Sequence, residues 1–318
     1  MQIIGQAAAK GVSVQQLHVI KQQLEDAGSK CIVIDLGRLV EGEQYPEAAV
    51  LVIKSGVGAL LQDPQHGQGA LLAELQAMPK DTTMFDRGKV KNRHSCHNNT
   101  MGDFSQEPDI ANKRGTVRLE PVIRFANSSP AQPVWLTSLA LCAQVVDFKD
   151  YPTTNKLRVA LSELLGSPAP LVGELNHYYD ASKCGIGWRA RHPTRASRAC
   201  PRLAPGQALA HPIPSVHGAL CADGDSERKL VAGARVGPGA DNMYLKYQWF
   251  HDSRPVGAEG RIVLEAGDVY IASEKAVGTD WKRRKVPTLR HAAGKEACKY
   301  ALGKRKAGEE GPQPVVFA

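Results

Sequence analysis

The sequence lacks the features of a secreted or membrane-spanning protein. Its seven cysteines are scattered and form no C-x-x-C pair, which argues against a disulfide framework and against a zinc ribbon. No run approaches the roughly 18 to 20 apolar residues that a membrane-spanning helix needs, and the opening MQIIGQAAAKG has no basic start followed by an apolar stretch. We therefore expect an intracellular protein, nuclear or cytoplasmic, that does not enter a membrane.

Complete nucleotide-loop and zinc motifs are also missing. GVG at Gly56 and GQG at Gly67 do not extend to the G-x-G-x-x-G that opens a dinucleotide-binding helix. His94, Cys96 and His97 lie close together, but no second ligand pair follows them at the spacing of a zinc site. We expect these three residues to lie in a loop near a substrate.

The apolar content is sufficient for one globular domain. Hydrophobic residues make up 42% of the 318 residues and charged residues 23%, so a sizeable core can form. Apolar residues at helical spacing predict helices over 13–27, 71–78 and 155–166. Short β-branched runs predict strands that start near Cys31 and Ala48.

After Leu230 the pattern changes to short apolar runs separated by turns. LVAGARV, MYLKYQWF, RIVLEAG, DVYIAS and PTLRHA follow one another, as in a β-sandwich or jelly roll. The predicted fold class is α+β, with a double-stranded β-helix (jelly roll) core and N-terminal flanking helices and strands. Segments 117–144 and 189–223 fit neither pattern, and they are longer than most loops in compact domains.

The segment from Glu174 to Trp188 carries the most informative motif. It reads ELNHYYDASKCGIGW, and GDSERK follows at Gly224. With the intervening segment set aside, the order is N-x-Y, a glycine turn, one missing residue, and G-D-S-E-R. This order resembles the AlkB-like oxygenases, which depend on iron(II) and 2-oxoglutarate and carry N-x-Y followed by His-x-Asp. Residues 264–294 are similar to the second half of that family's site, above all in a branch found in algae and their large DNA viruses.

The resemblance implies roles for individual residues. Asp225 matches the carboxylate that binds iron, and His291 matches the distal histidine. Asn176 and Tyr178 match the N-x-Y pair that contacts 2-oxoglutarate. A ferrous ion held by two histidines and one carboxylate keeps three positions open for 2-oxoglutarate and oxygen.

The resemblance also implies a carboxylate-binding residue and a base-reading loop. The family closes its site with R-x-N-x-T-x-R, and the segment with that spacing here runs from Lys299 to Arg305, with alanine and glycine at the middle polar positions. Lys299 and Arg305 are therefore candidates for binding the co-substrate. The segment MFDRGKVKNRHSCHNNTMGD occupies the position of the base-reading loop, so Arg93, His94 and Asn98 are candidate substrate contacts.

On this basis the chain divides into three parts. Residues 1–44 form an N-terminal extension, and 45–306 form the oxygenase domain. That domain contains insertions at 117–144 and 189–223. Residues 307–318 are expected to form a flexible tail.

The histidine of His-x-Asp is missing from the sequence. It should lie two residues before Asp225, where the chain has Asp223, or directly after Trp188, where the chain has Arg189. The metal site that the resemblance implies therefore lacks one ligand. Neither end of the intervening segment supplies a histidine at the expected position.

A translated intron would explain the missing ligand. The first codon of segment 189–223 can be CGT, and its last two codons can be GCA and GAC. An intron that begins with the GT of CGT and ends with the AG shared by GCA and GAC would leave C on one side and AC on the other. Joined together, these bases form CAC, which encodes histidine. The ends of segment 117–144 permit the same explanation. Two alternatives stay open: a genuine insertion that supplies His217 or His211 as the ligand, and a natural pseudoenzyme.

The implied function is oxidative removal of alkyl groups from nucleic-acid bases, with Fe(II) and 2-oxoglutarate as cofactors and alkylated DNA or RNA as partner. A net charge of +8 fits a polyanionic partner. One alternative is an oxygenase that hydroxylates a protein or a small molecule. Another is an inactive basic module that binds nucleic acid. The resemblance specifies neither the base nor the oligomeric state.

The intron explanation predicts a mature message that continues from the Trp188 codon directly to a histidine codon and Gly224. Replacing residues 189–223 by one histidine should then strengthen ferrous-ion binding, because a third protein ligand is added. Transcript sequencing and ferrous titration of the two proteins measure these outcomes. A message that keeps the whole segment, together with equal and tight iron binding by both proteins, would contradict the explanation and point to His217 or His211.

Overall fold

The protein combines helices with two large β-sheets. The computed structural model describes residues 2–7, 10–41, 45–78, 97–102, 110–111, 118–119, 145–167, 171–178, 185–186, 229–252, 254–281, 283, 285–295 and 312–318. Within these ranges the mixed α+β class predicted from the sequence is confirmed. No helix in the described part of the chain is both long enough and apolar enough to cross a membrane.

The described strands are short and run along the whole chain: β1 (Gln2–Ala7), β2 (Cys31–Asp35), β3 (Ala49–Ile53), β4 (His97–Gly102), β5 (Ile110–Ala111), β6 (Arg118–Leu119), β7 (Val145–Asp147), β8 (Val172–His177), β9 (Gly185–Ile186), β10 (Leu230–Arg235), β11 (Tyr244–His251), β12 (Arg254–Ile262), β13 (Val269–Ala272), β14 (Thr288–Gly294) and β15 (Val315–Phe317). The described helices are α1 (Val14–Asp26), α2 (Gly56–Leu61), α3 (Gly67–Ala77), α4 (Pro152–Leu164) and α5 (Glu274–Val277).

Helix α1 shows how local sequence sets these elements. The Gln16 backbone N–H donates to the Ser13 hydroxyl at 3.1 Å, and the Ser13 N–H donates to the Gln16 side chain at 2.9 Å. This capping box satisfies N–H groups that the first helical turn leaves without a partner. Leu17, Ile20 and Leu24 follow at helical spacing and are buried, so one face of the helix packs on the sheet.

The larger sheet has the strand order β2-β3-β13-β10-β1-β8-β4-β7. Helices cover one of its faces, where Leu17 of α1, Leu71 of α3 and Leu157 of α4 share a core with Leu51 and Ile271 of the sheet. The strands predicted from Cys31 and Ala48 are confirmed as β2 and β3. The three predicted helices are confirmed as α1, α3 and α4.

The smaller sheet, in the order β15-β12-β11-β14-β9, packs against the other face of the larger one. We call the residues between them the inter-sheet core. Its buried members are Ile34, Leu36, Leu39, Ala48, Val50, Val52, Val231, Leu245, Tyr247, Trp249, Ile262, Leu264, Tyr270, Ala272, Ala276, Val277 and Leu289. Trp249 is fully buried, and its indole N–H donates to the Leu36 carbonyl at 2.8 Å. Helices, larger sheet and smaller sheet therefore form three layers.

A buried carboxylate fixes the centre of the larger sheet. Asp268, just before β13, accepts hydrogen bonds from the Lys54 ammonium at 2.8 Å and from the backbone N–H groups of Ser55 and Glu265 at 3.0 and 2.9 Å. Its own carbonyl accepts from the Arg235 N–H at 2.8 Å. One residue thus joins the end of β3, the start of β13 and the end of β10.

The predicted division of the chain stays a prediction. Strands β1 and β2 precede the boundary between residues 44 and 45, β3 follows it, and all three belong to the larger sheet. Strand β15 lies within 307–318 and pairs in parallel with β12. The strands predicted after Leu230 are confirmed as β10 to β14.

Asp268→Asn is expected to lower the free energy of unfolding by about 2–3 kcal/mol, because the amide cannot accept from both an ammonium and two backbone donors as the carboxylate does. Glu265→Gln is the matched control. Glu265 contacts the same Lys54 ammonium at 3.1 Å, but its side chain is 65% exposed. The control should cost less than about 1 kcal/mol. Urea unfolding of both variants measures the difference, and equal costs would contradict the assignment.

Candidate functional site

Two buried polar residues of the larger sheet point toward the smaller one. Leu175 and Ala234 belong to the core on the helix side. Because successive residues of a strand point to opposite faces, Asn176 and Arg235 point into the space between the sheets. Each is only 1% exposed. Strand β1 lies between them, and Gln2 pairs with both in register.

Arg235 is the unusual group in this space. Its Nε and Nη2 atoms are buried, and neither has a hydrogen-bond acceptor in the described part of the protein. Its Cζ atom lies 5.9 Å from the centre of the Tyr178 ring. Burial lowers the pKa of Arg235, while Tyr178 and Tyr270 act in the opposite direction. No carboxylate among the described residues pairs with this guanidinium.

The ring of Tyr270 lies over Gly233, which precedes Arg235 by two residues on β10. Gly233 and Tyr270 are register partners on β10 and β13. A Cβ atom added to Gly233 would meet Tyr270 Cε1 at 2.5 Å and its hydroxyl at 2.8 Å. Gly233 lies two positions before Arg235 and so shares its face of the strand. The Tyr270 ring can therefore occupy this position only because Gly233 has no side chain.

The smaller sheet contributes Tyr247 and His291. They are register partners on β11 and β14, with ring centres 6.3 Å apart at an angle of 55°. Tyr247 belongs to the inter-sheet core, so His291, its partner on the same row, faces the larger sheet as well. Burial, together with neighbouring Tyr270, raises the pKa of Tyr247 well above its ordinary value. Its phenol therefore stays neutral at physiological pH.

These residues form one group, which we call the inter-sheet site: Asn176, Tyr178, Arg235, Tyr247, Tyr270 and His291. Tyr270 lies between its two halves, because its ring lies over Gly233, two residues before Arg235 on β10, and it shares the inter-sheet core with Tyr247. The site combines a neutral phenol, an imidazole and an amide with one positive charge. Such a donor set suits an anionic ligand.

The structure places four of the predicted site residues. Asn176 and Tyr178 lie at the end of β8, and His291 lies on β14. Asn98, a predicted substrate contact, lies on β4 directly opposite Asn176 in register. The fold thus brings Asn98, Asn176 and Tyr178 to one region of the larger sheet and His291 to the facing sheet.

The other predicted residues lie outside the described ranges; they are Arg93, His94, Asp225, Lys299 and Arg305. Within those ranges, no three histidine, cysteine, aspartate or glutamate side chains come together as a metal site. The iron site that the sequence predicts needs Asp225, and it therefore stays a prediction.

Motif matching missed Arg235, Tyr247 and Tyr270. One signal in the sequence was available, since Arg235 is the single charged residue in the apolar run LVAGARV. A charge at the end of a buried strand needs a partner. For Tyr247 and Tyr270 no local signal existed, because both look like ordinary aromatic residues of a core strand.

Comparison with known proteins shows a viral relative. The chain is 30% identical over 297 residues to an uncharacterized protein of Acanthamoeba polyphaga mimivirus, which covers 92% of this chain and 89% of the viral one. The chain belongs to the same family as this mimivirus protein. No family model matches the chain, and no solved structure matches it.

Gly233→Ala is expected to lower the free energy of unfolding by about 1–3 kcal/mol, because the new methyl group overlaps the Tyr270 ring. Gly69→Ala is the control, since Gly69 lies in α3 with no atom within 4 Å of its added Cβ. That change should stabilise the helix by about 1 kcal/mol. Gly233→Ala should cost less in a Tyr270→Ala background. An equal cost in both backgrounds, measured by urea unfolding, would contradict the close contact.

Proposed function

We propose that this protein is an Fe(II)- and 2-oxoglutarate-dependent oxygenase of the AlkB-like type that removes alkyl groups from nucleic-acid bases. One observation carries the proposal. Asn176 and Tyr178 of the larger sheet, and His291 of the smaller sheet, come from motifs far apart in sequence and face one space between the two sheets.

The layered architecture supports the finer description of the fold as a double-stranded β-helix. Two sheets of mainly antiparallel strands pack face to face over the inter-sheet core. Ligand sites in such folds lie between the sheets, at the end that the core leaves open. The inter-sheet site, with its polar side chains, lies between the two sheets.

The residues of the larger sheet fit the co-substrate. 2-Oxoglutarate carries two carboxylates, so it needs positive charge and hydrogen-bond donors in an otherwise apolar pocket. Asn176 supplies an amide, Tyr178 a phenol, and Arg235 a buried positive charge beside them. No negative charge among the described residues neutralises this group.

The residues around the metal position fit in part. His291 is an imidazole facing the inter-sheet space, and Asp225 is the carboxylate that the motif supplies. Strand β9 pairs Gly185 with Gly294 and Ile186 with Ala293, so β9 runs toward His291 along β14. Trp188, after which the missing histidine is expected, follows two residues later in the sequence.

These groups divide the work of the proposed reaction. Bound iron and 2-oxoglutarate would supply the oxidant that hydroxylates an N-methyl carbon. The protein's own residues hold the co-substrate, exclude water between the sheets and position the base. Asn98, beside Asn176, lies where a base could be contacted, and the net charge of +8 favours a polyanionic substrate.

The test is turnover by two proteins, the full chain and the variant in which one histidine replaces residues 189–223. With iron and 2-oxoglutarate, the variant should release succinate and formaldehyde in equal amounts from methylated oligonucleotides. His291→Ala in the same variant is the matched control, and it should reduce turnover more than about 100-fold through loss of a metal ligand.

Three results would contradict the proposal. Succinate formed without formaldehyde, in the presence of an oxidised protein or metabolite, would identify an oxygenase with another substrate. Salt-sensitive binding of oligonucleotides without any turnover by either protein would identify a binding module. Turnover that survives His291→Ala would remove the assignment of that histidine to iron.

A further inference from the structure

We propose that Arg235 binds the carboxylate of a small dicarboxylate ligand in the space between the two sheets. Under the proposed function, on which this naming of the ligand rests, the dicarboxylate is 2-oxoglutarate. The family pattern assigns that role to the segment from Lys299 to Arg305. Arg235 lies on a different strand, β10, and no motif points to it.

The two unpartnered donors of Arg235 have the geometry of a carboxylate clamp. Nε–H and the outward N–H of Nη2 lie along one edge of a planar guanidinium. Both are the buried atoms that lack an acceptor in the described part of the chain. A carboxylate accepts two parallel hydrogen bonds from such an edge. This edge therefore matches an oxyanion such as a carboxylate in both spacing and charge.

Burial makes this unfilled edge costly without a ligand. The Arg235 residue is 1% exposed, so bulk water does not reach these donors. An unpaired charge in such a place costs several kcal/mol. The direction of its pKa shift reports the same cost, since burial lowers the pKa of the guanidinium. A bound anion would offset it.

The backbone holds the guanidinium in place before any ligand arrives. The Arg235 N–H donates to the Asp268 carbonyl at 2.8 Å, and the Arg235 carbonyl accepts from the Gly267 N–H at 2.7 Å. The Asp268 side chain is itself fixed by Lys54 and Ser55. A group that is already oriented loses little entropy when a ligand binds.

Two other arginines with limited exposure have an acceptor for Nε. Arg261 is 13% exposed, and its Nε donates to the Glu259 carboxylate at 2.7 Å. Arg158 is 9% exposed, and its Nε donates to the Asn155 side chain at 2.9 Å. Arg235 is more deeply buried than either, yet its Nε has no acceptor within the described residues.

The test measures binding of 2-oxoglutarate, succinate and inorganic phosphate to the full chain without added iron. Calorimetry gives the affinities, and thermal unfolding gives the stability of each variant. Arg235→Met should weaken binding of both dicarboxylates about 100-fold, through loss of a charge-assisted pair of hydrogen bonds. The same variant should unfold at an equal or higher temperature without ligand, because it removes an unpaired buried charge. A merely structural arginine would show the opposite change.

Two controls separate this inference from its alternatives. Arg261→Met removes a partly buried arginine that has a partner, and it should lower the unfolding temperature while leaving dicarboxylate affinity unchanged. The double variant Lys299→Ala with Arg305→Ala tests the motif-based assignment. Affinity lost in Arg235→Met and kept in the double variant supports Arg235 as the carboxylate-binding residue.

Several outcomes would overturn the inference. If Arg235→Met binds the dicarboxylates as tightly as the wild type, Arg235 is not the carboxylate-binding residue, and the proposed oxygenase function still stands. Failure of the wild-type chain to bind any dicarboxylate overturns it as well. Phosphate bound more tightly than the dicarboxylates, in a way that depends on Arg235, would assign the site to a phosphate group. Arg235-dependent succinate binding without oxygenase turnover would instead reject the proposed function alone.

Discussion

The buried Asp268 carboxylate is the interaction on which the rest of the structure depends. It pairs with Lys54 and closes two backbone turns, so the end of β3 and the start of β13 keep one register. The Asp268 carbonyl then receives the Arg235 N–H. Because β10 is held in this way, the strands beyond it in the sheet, β1 and β8, have a fixed template to pair with.

The same anchoring explains how a buried positive charge can persist at Arg235. A side chain on a loose strand end would turn its guanidinium toward water, since hydration of the charge is worth several kcal/mol. On β10 the backbone is hydrogen-bonded on both sides, and Tyr270 lies across Gly233. The charge is therefore held within the fold. A ligand that neutralises it would offset the unfavourable free energy of burying it, and this offset would favour binding.

Local sequence was sufficient for elements that are held by local forces. The spacing of Leu17, Ile20 and Leu24 predicted α1, and the short apolar runs separated by turns after Leu230 predicted the later strands. Strand β1 could not be predicted in the same way, because Gln2–Ala7 is extended through pairing with β8 and β10. Pairing over such sequence distances depends on the whole fold, and no short window records it.

The candidate site likewise contains residues that a local motif identifies and residues whose role depends on strand pairing. Asn176, Tyr178 and His291 carry a motif that can be matched residue by residue, so the sequence could name them. Tyr270 acquires its place from the absence of a side chain at Gly233, across a strand pair that the sequence does not reveal. Arg235 is a candidate ligand-binding residue because two of its guanidinium nitrogens have no hydrogen-bond acceptor among the described residues. A sequence does not show that such an acceptor is absent.

If the proposed function holds, the position of segment 189–223 explains how the chain could lose a ligand of the proposed metal site and keep its sheets. Strand β9 belongs to the smaller sheet and β10 to the larger one, so the chain crosses from one sheet to the other between them, and these two strands do not pair with each other. Extra residues at such a crossing add only a slowly growing loop entropy. The His-x-Asp motif, in contrast, needs its two ligands at a spacing of two residues. An insertion there would be tolerated by the fold and would act on the metal site alone.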